Sequence, residues 1–270
     1  MRHIAFLLVI ACAPAADLQL DLRSRVELFK GSGQWHEVHV RRDLPVKQTA
    51  IVICDMWDNH WCKGATRRVG ALADRMEPVL DHARKLGILI IHAPSETMDF
   101  YKDSPQRQFM LTLDKVETPL PLALTDPPLP IDDKEGGCDT HDSFFKAWTR
   151  ENAKLRIAPQ DLVSDKGTEI YSLLRLRGIQ YLLVMGVHTN MCILNRTFAI
   201  RQMTKWGIHC VLIRDLTDSM YDPGKRPFVA HDQGTELVIE HIERYWCPSA
   251  LSKDLMAAHQ EISSLRSGNR

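Results

Sequence analysis

Short apolar runs alternate along the chain with longer stretches in which apolar residues recur every three or four positions. The apolar runs are Thr49–Met56, Ile88–Pro94, Tyr181–Met185 and His209–Asp215. Near-continuous apolar character over so few residues is typical of strands that a parallel sheet buries on both faces. These four runs are therefore predicted to be the central strands of the protein.

The helical stretches between these runs end at glycines. Val69–Leu86 is followed by Gly87, Glu169–Arg177 is followed by Gly178, and a last amphipathic stretch covers Gly234–Trp246. Glycine directly after the last periodic residue is typical of a helix C-terminus. Because strand and helix alternate, the pattern predicts a three-layer α/β fold with a doubly wound, mostly parallel sheet.

Two alternating runs precede this pattern. Leu18–Arg23 and Trp35–Val40 flank a Gly-Ser-Gly turn, which predicts an N-terminal β-hairpin extension over residues 17–48. The α/β pattern then occupies residues 49–250, which we assign to one domain, and residues 251–270 form a C-terminal tail. The sequence shows neither an internal repeat nor a second domain.

The pattern is interrupted in the middle of the chain. From Ser95 to Asp142 no periodicity is visible, and prolines crowd Pro119–Pro130. A loop of this length in a compact domain is usually functional, so we expect it to be a lid or wall over the site. Beyond it, Phe144–Asn152 is predicted to be a short helix, and either Leu155–Ile157 or Asp161–Val163 a weak strand.

Composition excludes several classes of partner. Hydrophobic residues make up 44% of the 270 residues and charged residues 25%, and the formal net charge is zero. These values are ordinary for a globular protein, and no basic block indicates nucleic acid or an anionic membrane surface. No segment is apolar enough to span a membrane.

The first 16 residues have the pattern of an export signal. Met1–His3 is basic, Ile4–Ala11 is apolar but too short to cross a bilayer, and Ala13–Ala15 has small residues of a cleavage site. Residues 1–16 are therefore predicted to be a signal peptide, and the protein to be periplasmic or extracellular. The residues around Cys12 also resemble a lipoprotein box, so a lipid anchor at Cys12 is the alternative.

Seven cysteines are present, and none of them forms a CxxC motif. A zinc ribbon or thioredoxin-like motif is therefore absent. In an oxidising compartment, Cys62 and Cys138 are the pair expected to form a disulfide, because both lie in loop-like sequence.

A strand, a tight turn and a helix follow one another around Cys192. Gly186 ends the apolar run, Thr189 and Asn190 are residue types that favour a helix N-cap, and helical spacing resumes at Met191. Cys192 is thus expected in the first helical turn, where unpaired N–H groups and the helix dipole favour a thiolate. This placement makes Cys192 a candidate nucleophile.

Other chemically active residues also lie at strand ends. They are Asp55, His92, His188 and Asp215. Because ligands of open α/β sheets bind at the carboxyl ends of the strands, we expect Asp55 to lie near Cys192 and to act as its base. His92 and Asp215 are expected to be structural, and Cys54 to face the core on the side opposite Asp55.

Two motifs together resemble the isochorismatase-like cysteine hydrolases. Ile51–Cys62 is similar to the first strand of that family and its polar-aromatic turn, and Gly186–Cys192 is similar to the nucleophile turn. The likeness covers residues 49–246 in order, except for the long middle loop. It implies an Asp, Lys, Cys triad in which Asp55 is the general acid/base and Cys192 the nucleophile. It also implies an oxyanion site at the N–H groups of Cys192 and the turn at His188, where family members often have a non-proline cis peptide.

The resemblance does not decide which lysine completes the triad. Lys166 follows a short segment introduced by an aspartate, as in the family, and we assign it to the triad. Lys154 and Lys146 lie at separations that also fit, and the absence of any triad lysine is a further alternative. Trp57, His188 and Thr189 adjoin the two motifs and are expected to contact a small-molecule substrate.

Metal binding is not expected, and no cofactor is assigned. Asp139 and His141 have the Asp-x-His spacing of metal ligands, but two-residue matches occur often by chance. A divalent ion such as zinc at Asp58, His60 and His92 stays open as the alternative.

The function expected from this sequence is hydrolysis of a small amide or related C–N bond through a Cys192 thioester. A vinyl ether hydrolase of the isochorismatase type is the alternative within the fold, although the isochorismatases of the family lack the thiol. The alternative from another class is a secreted binding module without turnover. The family resemblance also implies a homo-oligomer.

Overall fold

The computed structural model describes residues 17–258. The predicted signal peptide, Cys12 and the last part of the predicted tail lie outside this range. Between residues 17 and 258, no helix combines the length and the apolar character needed to cross a membrane.

Strands and helices alternate as the apolar pattern predicts. The strands are β1 (Asp17–Glu27), β2 (Trp35–Pro45), β3 (Thr49–Cys54), β4 (Leu89–Ala93), β5 (Leu162–Val163), β6 (Tyr181–Val187), β7 (His209–Asp218) and β8 (Ser249–Ala250). The helices are α1 (Lys63–Leu86), α2 (Met98–Tyr101), α3 (Pro105–Thr112), α4 (Gly167–Leu176), α5 (Cys192–Asn195), α6 (Ile200–Lys205) and α7 (His231–Tyr245).

All eight strands form one sheet in the order β2-β1-β8-β7-β6-β3-β4-β5. Pairing is parallel from β8 through β5 and antiparallel where β1 meets β2 and β8. Helices cover both faces of the parallel part, so the predicted doubly wound α/β fold is confirmed. The short strand β8, which joins the hairpin to the parallel strands, was not predicted.

Each strand of the sheet centre contributes to two separate cores. In β3, Ala50, Val52 and Cys54 pack on the side of α4, α6 and α7, whereas Ile51 and Ile53 pack against α1. All five side chains are fully buried. Successive side chains of a strand point to opposite faces, so a strand covered on both faces must be apolar throughout. Cys54 thus lies in the core, as predicted.

The N-terminal hairpin is an edge of this sheet. Its strands pair from Asp17 with Pro45 to Glu27 with Trp35, and Arg23 also pairs with Ser249 of β8. The guanidinium of Arg23 binds the buried carboxylate of Glu243 on α7 at 2.7 Å. Backbone pairing and this charge-assisted contact together attach the hairpin to the domain.

The long middle segment contains two helices that the sequence pattern did not reveal. These are α2 and α3, and Ser104 caps α3 by accepting a hydrogen bond from the N–H of Arg107 at 3.2 Å. Pro105 occupies the first turn, where its missing N–H costs nothing. The prediction of a structureless loop over Ser95–Asp142 was therefore wrong for residues 98–112.

The helix predicted at Phe144–Asn152 was also wrong. Residues 150–152 are extended along the loop that follows β3: the N–H of Asp58 donates to the carbonyl of Arg150 at 2.9 Å, and the N–H of Asn152 donates to that of Met56 at 2.7 Å. Pairing with a distant segment satisfies the backbone groups that a helix would have satisfied locally. Of the two candidate weak strands, Asp161–Val163 is close to the observed β5.

A disulfide joins Cys62, directly before α1, to Cys138 of the long middle segment. The two Cα atoms are 5.6 Å apart, within the usual range for such bonds. This confirms the predicted pair. The disulfide closes a sequence separation of 76 residues and fixes the segment around Cys138 against the start of α1.

Candidate active site

The carboxyl edge of the parallel strands brings together two turns from distant parts of the sequence. Asp55 follows β3, and the turn from His188 to Cys192 follows the adjacent strand β6, whose last residues are Gly186 and Val187. Gly186 has φ of 116°, and a Cβ atom there would lie 2.1 Å from the carbonyl oxygen of Cys54. Only glycine permits this backbone conformation and approach. The peptide between Val187 and His188 is cis, as the resemblance implied.

The helix after this turn is shorter than predicted. The N–H groups of Met191 and Ile193 both donate to the carbonyl of His188, and α5 ends after one turn, at Asn195. Helical geometry resumes only at Ile200. Periodicity alone did not reveal the break, because apolar residues on both sides of it belong to the same core.

The predicted N-caps do not cap α5. Met191 occupies the N-cap position without a capping side-chain bond. The hydroxyl of Thr189 is 2.7 Å from that of Thr217, and the side chain of Asn190 bonds the backbone of Met220. Thr189 thus contacts the end of β7 and Asn190 the chain directly after it, which local sequence could not indicate.

Asp55 is fully buried and adopts a left-handed backbone conformation, with φ of 48°. One carboxylate oxygen accepts the N–H of Ser95 at 2.7 Å, and the other accepts the Nε–H of Arg196 at 2.8 Å. The thiol of Cys192 lies beside this carboxylate and interacts electrostatically with it. The structure thus brings together an acid, a thiol and a guanidinium at the edge of the sheet.

Burial raises the pKa of the Cys192 thiol well above its ordinary value, and the charge of Asp55 raises it further, while Arg196 opposes both. The predicted lowering of this pKa by a helix start is therefore wrong. A single-turn helix has a small dipole, and the desolvated thiol lies beside a carboxylate. Burial also raises the pKa of Asp55, against the effect of Arg196. The pair thus consists of a thiol with a raised pKa beside a carboxylate whose own pKa is raised.

Arg196 was missed in the sequence. It lies four residues after Cys192, and its guanidinium stacks 5.9 Å from the centre of the Trp57 ring. Its remaining nitrogens are 3.5 Å from the carboxylate of Glu96. Asp55 raises the pKa of Arg196 despite burial, so the group stays protonated. The spacing from Cys192 was a usable signal, because residues four apart on a helix lie on one face.

The three candidate lysines lie elsewhere. Lys166 is exposed at the residue before α4. Lys154 pairs with Asp74 at 2.6 Å, and the ammonium of Lys146 donates to the carbonyl of Glu96 at 3.1 Å. Within residues 17–258, the ion pair of Asp55 is with Arg196 and with none of these lysines.

The three predicted substrate contacts differ in their surroundings. Trp57 is stacked on Trp148 at 4.4 Å, and its indole N–H donates to the carbonyl of Ser95 at 3.1 Å. His188 is buried, and its ring nitrogen Nε2 has no partner among residues 17–258. Thr189 is fully buried against Thr217, as described above. Trp57 and His188 therefore adjoin the site more directly than the side chain of Thr189.

His188 belongs to a group of rings beside Cys192. Burial lowers the pKa of His188 to about 3, and His60, 5.1 Å away between ring centres, lowers it further. Burial likewise lowers the pKa of His60 to about 4, with a contribution from Arg68. Both rings are therefore neutral at pH 7, and they flank the site as polar groups without charge.

Two other strand-end residues are structural, as predicted. His92 is bound between the carboxylates of Glu151 at 2.6 Å and Asp161 at 3.2 Å, and these acids hold its pKa at about 9 against burial. Asp215 accepts hydrogen bonds from the N–H and hydroxyl of Ser252. Because β7 continues beyond the predicted end at Asp215, the residue at its carboxyl end is Asp218.

The predicted metal alternative is not assembled. The carboxylate of Asp58 accepts hydrogen bonds from Thr149, and His92 is already paired with two acids. Asp139 of the Asp-x-His pair binds Arg68. Within the described range, the donor atoms of Asp58, His60 and His92 do not form a cluster of metal-ligand dimensions.

The fold is similar to that of solved isochorismatase-like structures. A cysteine hydrolase from Pseudomonas syringae pv. phaseolicola superposes with a TM-score of 0.52 at 15% identity, covering 81% of this chain and 97% of that chain. An isochorismatase from Pseudomonas putida has a TM-score of 0.47 at 14% identity, covering 77% and 90%. An isochorismatase family protein from Burkholderia thailandensis has 0.46 at 16%, covering 78% and 95%.

The first of these similarities establishes the isochorismatase-like α/β fold for this chain, which confirms the fold expected from the two sequence motifs. No protein-family model matches the sequence, and no curated protein matches it either. The activity therefore has to be inferred from the site.

The contact between Asp55 and Cys192 makes a prediction about thiol reactivity. We expect the pH midpoint for alkylation of Cys192 to lie above the value of about 8.5 for a free thiol. Asp55→Asn removes the adjacent charge and should lower this midpoint, whereas Arg196→Met should raise it. One unit of midpoint changes the thiolate fraction about tenfold at neutral pH. Intact-mass kinetics with peptide mapping measures it, and a wild-type midpoint below 8 would contradict the described electrostatics.

Proposed function

We propose that this protein is a cysteine hydrolase that cleaves a small amide or related C–N bond, with Cys192 as nucleophile and Asp55 as general base. The observation that carries the proposal is that the Cys192 thiol lies beside the fully buried Asp55 carboxylate, whose charge raises the pKa of the thiol. A thiol with a raised pKa needs a base in contact to attack, and a carboxylate with a raised pKa is such a base.

The backbone supports stabilisation of the oxyanion at the same turn. The N–H groups of Met191 and Ile193 donate to His188, but that of Cys192 has no acceptor among residues 17–258. The N–H of His188 points at the Cys192 sulfur. Two fixed N–H donors beside the nucleophile are suited to an oxyanion that forms when the sulfur attacks a carbonyl.

The proposed reaction uses one proton carrier. The thiol gives its proton to Asp55 as sulfur attacks the carbonyl carbon, and Asp55 passes that proton to the departing nitrogen. Water, deprotonated by Asp55, then hydrolyses the thioester and restores the thiol. Arg196 stays protonated throughout, since its pKa is raised, so it holds Asp55 in position and balances its charge without carrying a proton.

Replacement of the nucleophile tests the mechanism. Cys192→Ala should lower ammonia release from a panel of small primary amides at least about 10⁴-fold and abolish the acyl adduct seen by intact-mass spectrometry. Cys210→Ala, which alters another free buried cysteine, is the matched control and should keep the activity. Turnover by the Cys192→Ala protein would exclude the thioester mechanism.

Variants of Arg196 and Lys166 test which cation the proposed reaction requires. We expect Arg196→Met to lower kcat at least about 100-fold, since Asp55 loses its charged partner, and Arg196→Lys to keep part of the rate. Lys166→Met should stay within about twofold of wild type, a change no larger than that of an ordinary surface substitution. Circular dichroism and thermal unfolding must show folded variants, because an unpaired buried carboxylate destabilises the fold. A larger loss of kcat for Lys166→Met than for Arg196→Met would instead assign Lys166 to the triad.

A binding module without turnover is the second candidate. The observation in its favour is that both oxygens of Asp55 are already engaged and that arginine, which cannot exchange a proton at neutral pH, is the cation at the site. Absence of both ammonia and any Cys192 adduct across the amide panel, together with binding of one of these amides by calorimetry, would favour this function.

Export and self-association are proposals of their own. The disulfide between Cys62 and Cys138 supports an oxidising compartment. N-terminal sequencing of the protein recovered from the periplasm or medium should show loss of residues 1–16, and recovery of the full chain from the cytoplasm would contradict export. Light scattering of the purified protein should give the mass of a homo-oligomer, as the family resemblance implies.

A further inference from the structure

A second group of reactive side chains lies outside the proposed active site. Cys62, immediately before α1, meets Cys138 and Asp142 of the long middle segment. One donor atom from each of the three lies within 4.8 Å of the other two. Both cysteines are buried and the aspartate is half-buried. Once the disulfide between the two cysteines is opened, two sulfurs and one carboxylate can supply three corners of a tetrahedral ligand set.

A cavity gives access to this group. It has a volume of about 300 Å³, and Cys138 and Asp142 belong to its wall together with Trp61, His141 and Asp222. Two of the three donors, those of Cys138 and Asp142, therefore face a space that an ion and a water molecule can enter, and Cys62 is bonded to the first of them. Sites of this kind keep their fourth ligand position for water or for a side chain from the cavity wall.

The carboxylate of Asp142 is held in place by its neighbours. The hydroxyl of Thr140 and the N–H of Lys63 hydrogen-bond it at 2.6 and 2.9 Å, and the ammonium of Lys63 lies 3.2 Å from it. The Thr140 hydroxyl also lies 3.4 Å from each of the two sulfurs. One hydroxyl thus contacts all three donors and aligns them.

We propose that Cys62, Cys138 and Asp142 form a redox-dependent site for a divalent ion of the zinc type, which binds when the disulfide is reduced. The inference is independent of the proposed hydrolase function, because none of the three residues contacts Asp55 or Cys192. In the oxidised protein the disulfide joins α1 to the middle segment, and in the reduced protein the metal ion joins the same elements.

Reduction of the disulfide between Cys62 and Cys138 uses an external dithiol. The dithiol gives two electrons and two protons to the protein disulfide and becomes a disulfide itself, which leaves two thiols at Cys62 and Cys138. Binding of one Zn²⁺ then releases the two thiol protons. Two thiolates beside an ionised carboxylate would repel one another, and the cation removes this repulsion. Zinc also prefers sulfur donors, which favours it over calcium or magnesium here.

The link between Cys62 and Cys138 also lies beside a group of aromatic residues. Trp61 precedes Cys62, its ring lies 5.7 Å from that of Phe144, and a Cβ atom at Gly136 would lie 3.1 Å from it. Trp61 also contacts His60, whose ring adjoins His188. A cross-link at Cys62 therefore fixes side chains next to the proposed active site, whether that cross-link is a disulfide or a metal ion.

Zinc titration of the reduced full chain tests the proposal. The protein is reduced with a dithiol, the reductant is removed under anaerobic conditions, and zinc is titrated against a chromophoric chelator. We expect one more equivalent of tightly bound zinc than in the Cys62→Ser/Cys138→Ser double variant, which keeps the remaining thiols, Cys192 included. The oxidised wild type should match the double variant.

The carboxylate is tested separately. Asp142→Asn should weaken zinc binding by the reduced protein at least about tenfold. Asp132→Asn is the matched control, since Asp132 lines the same cavity but is not one of the three donors, and it should leave the affinity unchanged. Cobalt in place of zinc should give the visible absorption of a tetrahedral thiolate site, and the double variant should lack it.

Three results would overturn the inference. The first is equal zinc binding by the reduced wild type and the double variant. The second is that Asp142→Asn and Asp132→Asn change the zinc affinity of the reduced protein to the same degree. The third is a disulfide that the dithiol cannot reduce in the folded protein, as counted by thiol titration, because the dithiol state would then not exist.

Discussion

Burial of the Asp55 carboxylate is the constraint on which the site depends. A charge removed from water needs compensation from fixed donors, and here Arg196, the N–H of Ser95 and the Cys192 thiol supply it. Ser95 follows β4, whereas Cys192 and Arg196 both belong to the segment after β6. The carboxylate therefore holds these two segments against the loop after β3. Its raised pKa, caused by the same burial, makes it a stronger base toward the thiol.

The sheet positions these groups before any side-chain contact forms. Strands β3 and β6 are parallel neighbours, so their carboxyl ends, and the turns that follow, lie side by side. The end of β6 passes so close to β3 that only glycine fits at position 186. Segments distant in sequence then enclose the site: residues 150–152 pair with the loop after β3, and Trp148 stacks on Trp57.

The nearby polar groups differ in charge because their partners differ. His92 is held protonated by Glu151 and Asp161. Among residues 17–258, no carboxylate hydrogen-bonds His188 or His60, and burial keeps them neutral. One buried histidine thus strengthens the link between β4 and the segment at Glu151, while the two others leave the side of Cys192 that they line without charge.

The sequence by itself determined the strands of the sheet centre, the hairpin, the positions of Asp55 and Cys192 and the pairing of Cys62 with Cys138. These follow from apolar periodicity, from glycine breaks and from the order of strand ends, which are local or nearly local signals. Tertiary structure alone decided that Arg196 binds Asp55, that Thr189 and Asn190 contact the end of β7 and the chain after it, and that residues 150–152 are extended. Each of these depends on a partner far away in the sequence. Tertiary structure also decided the direction of the Cys192 pKa shift. Desolvation and the charge of Asp55 both result from packing, and together they outweigh the dipole of a one-turn helix.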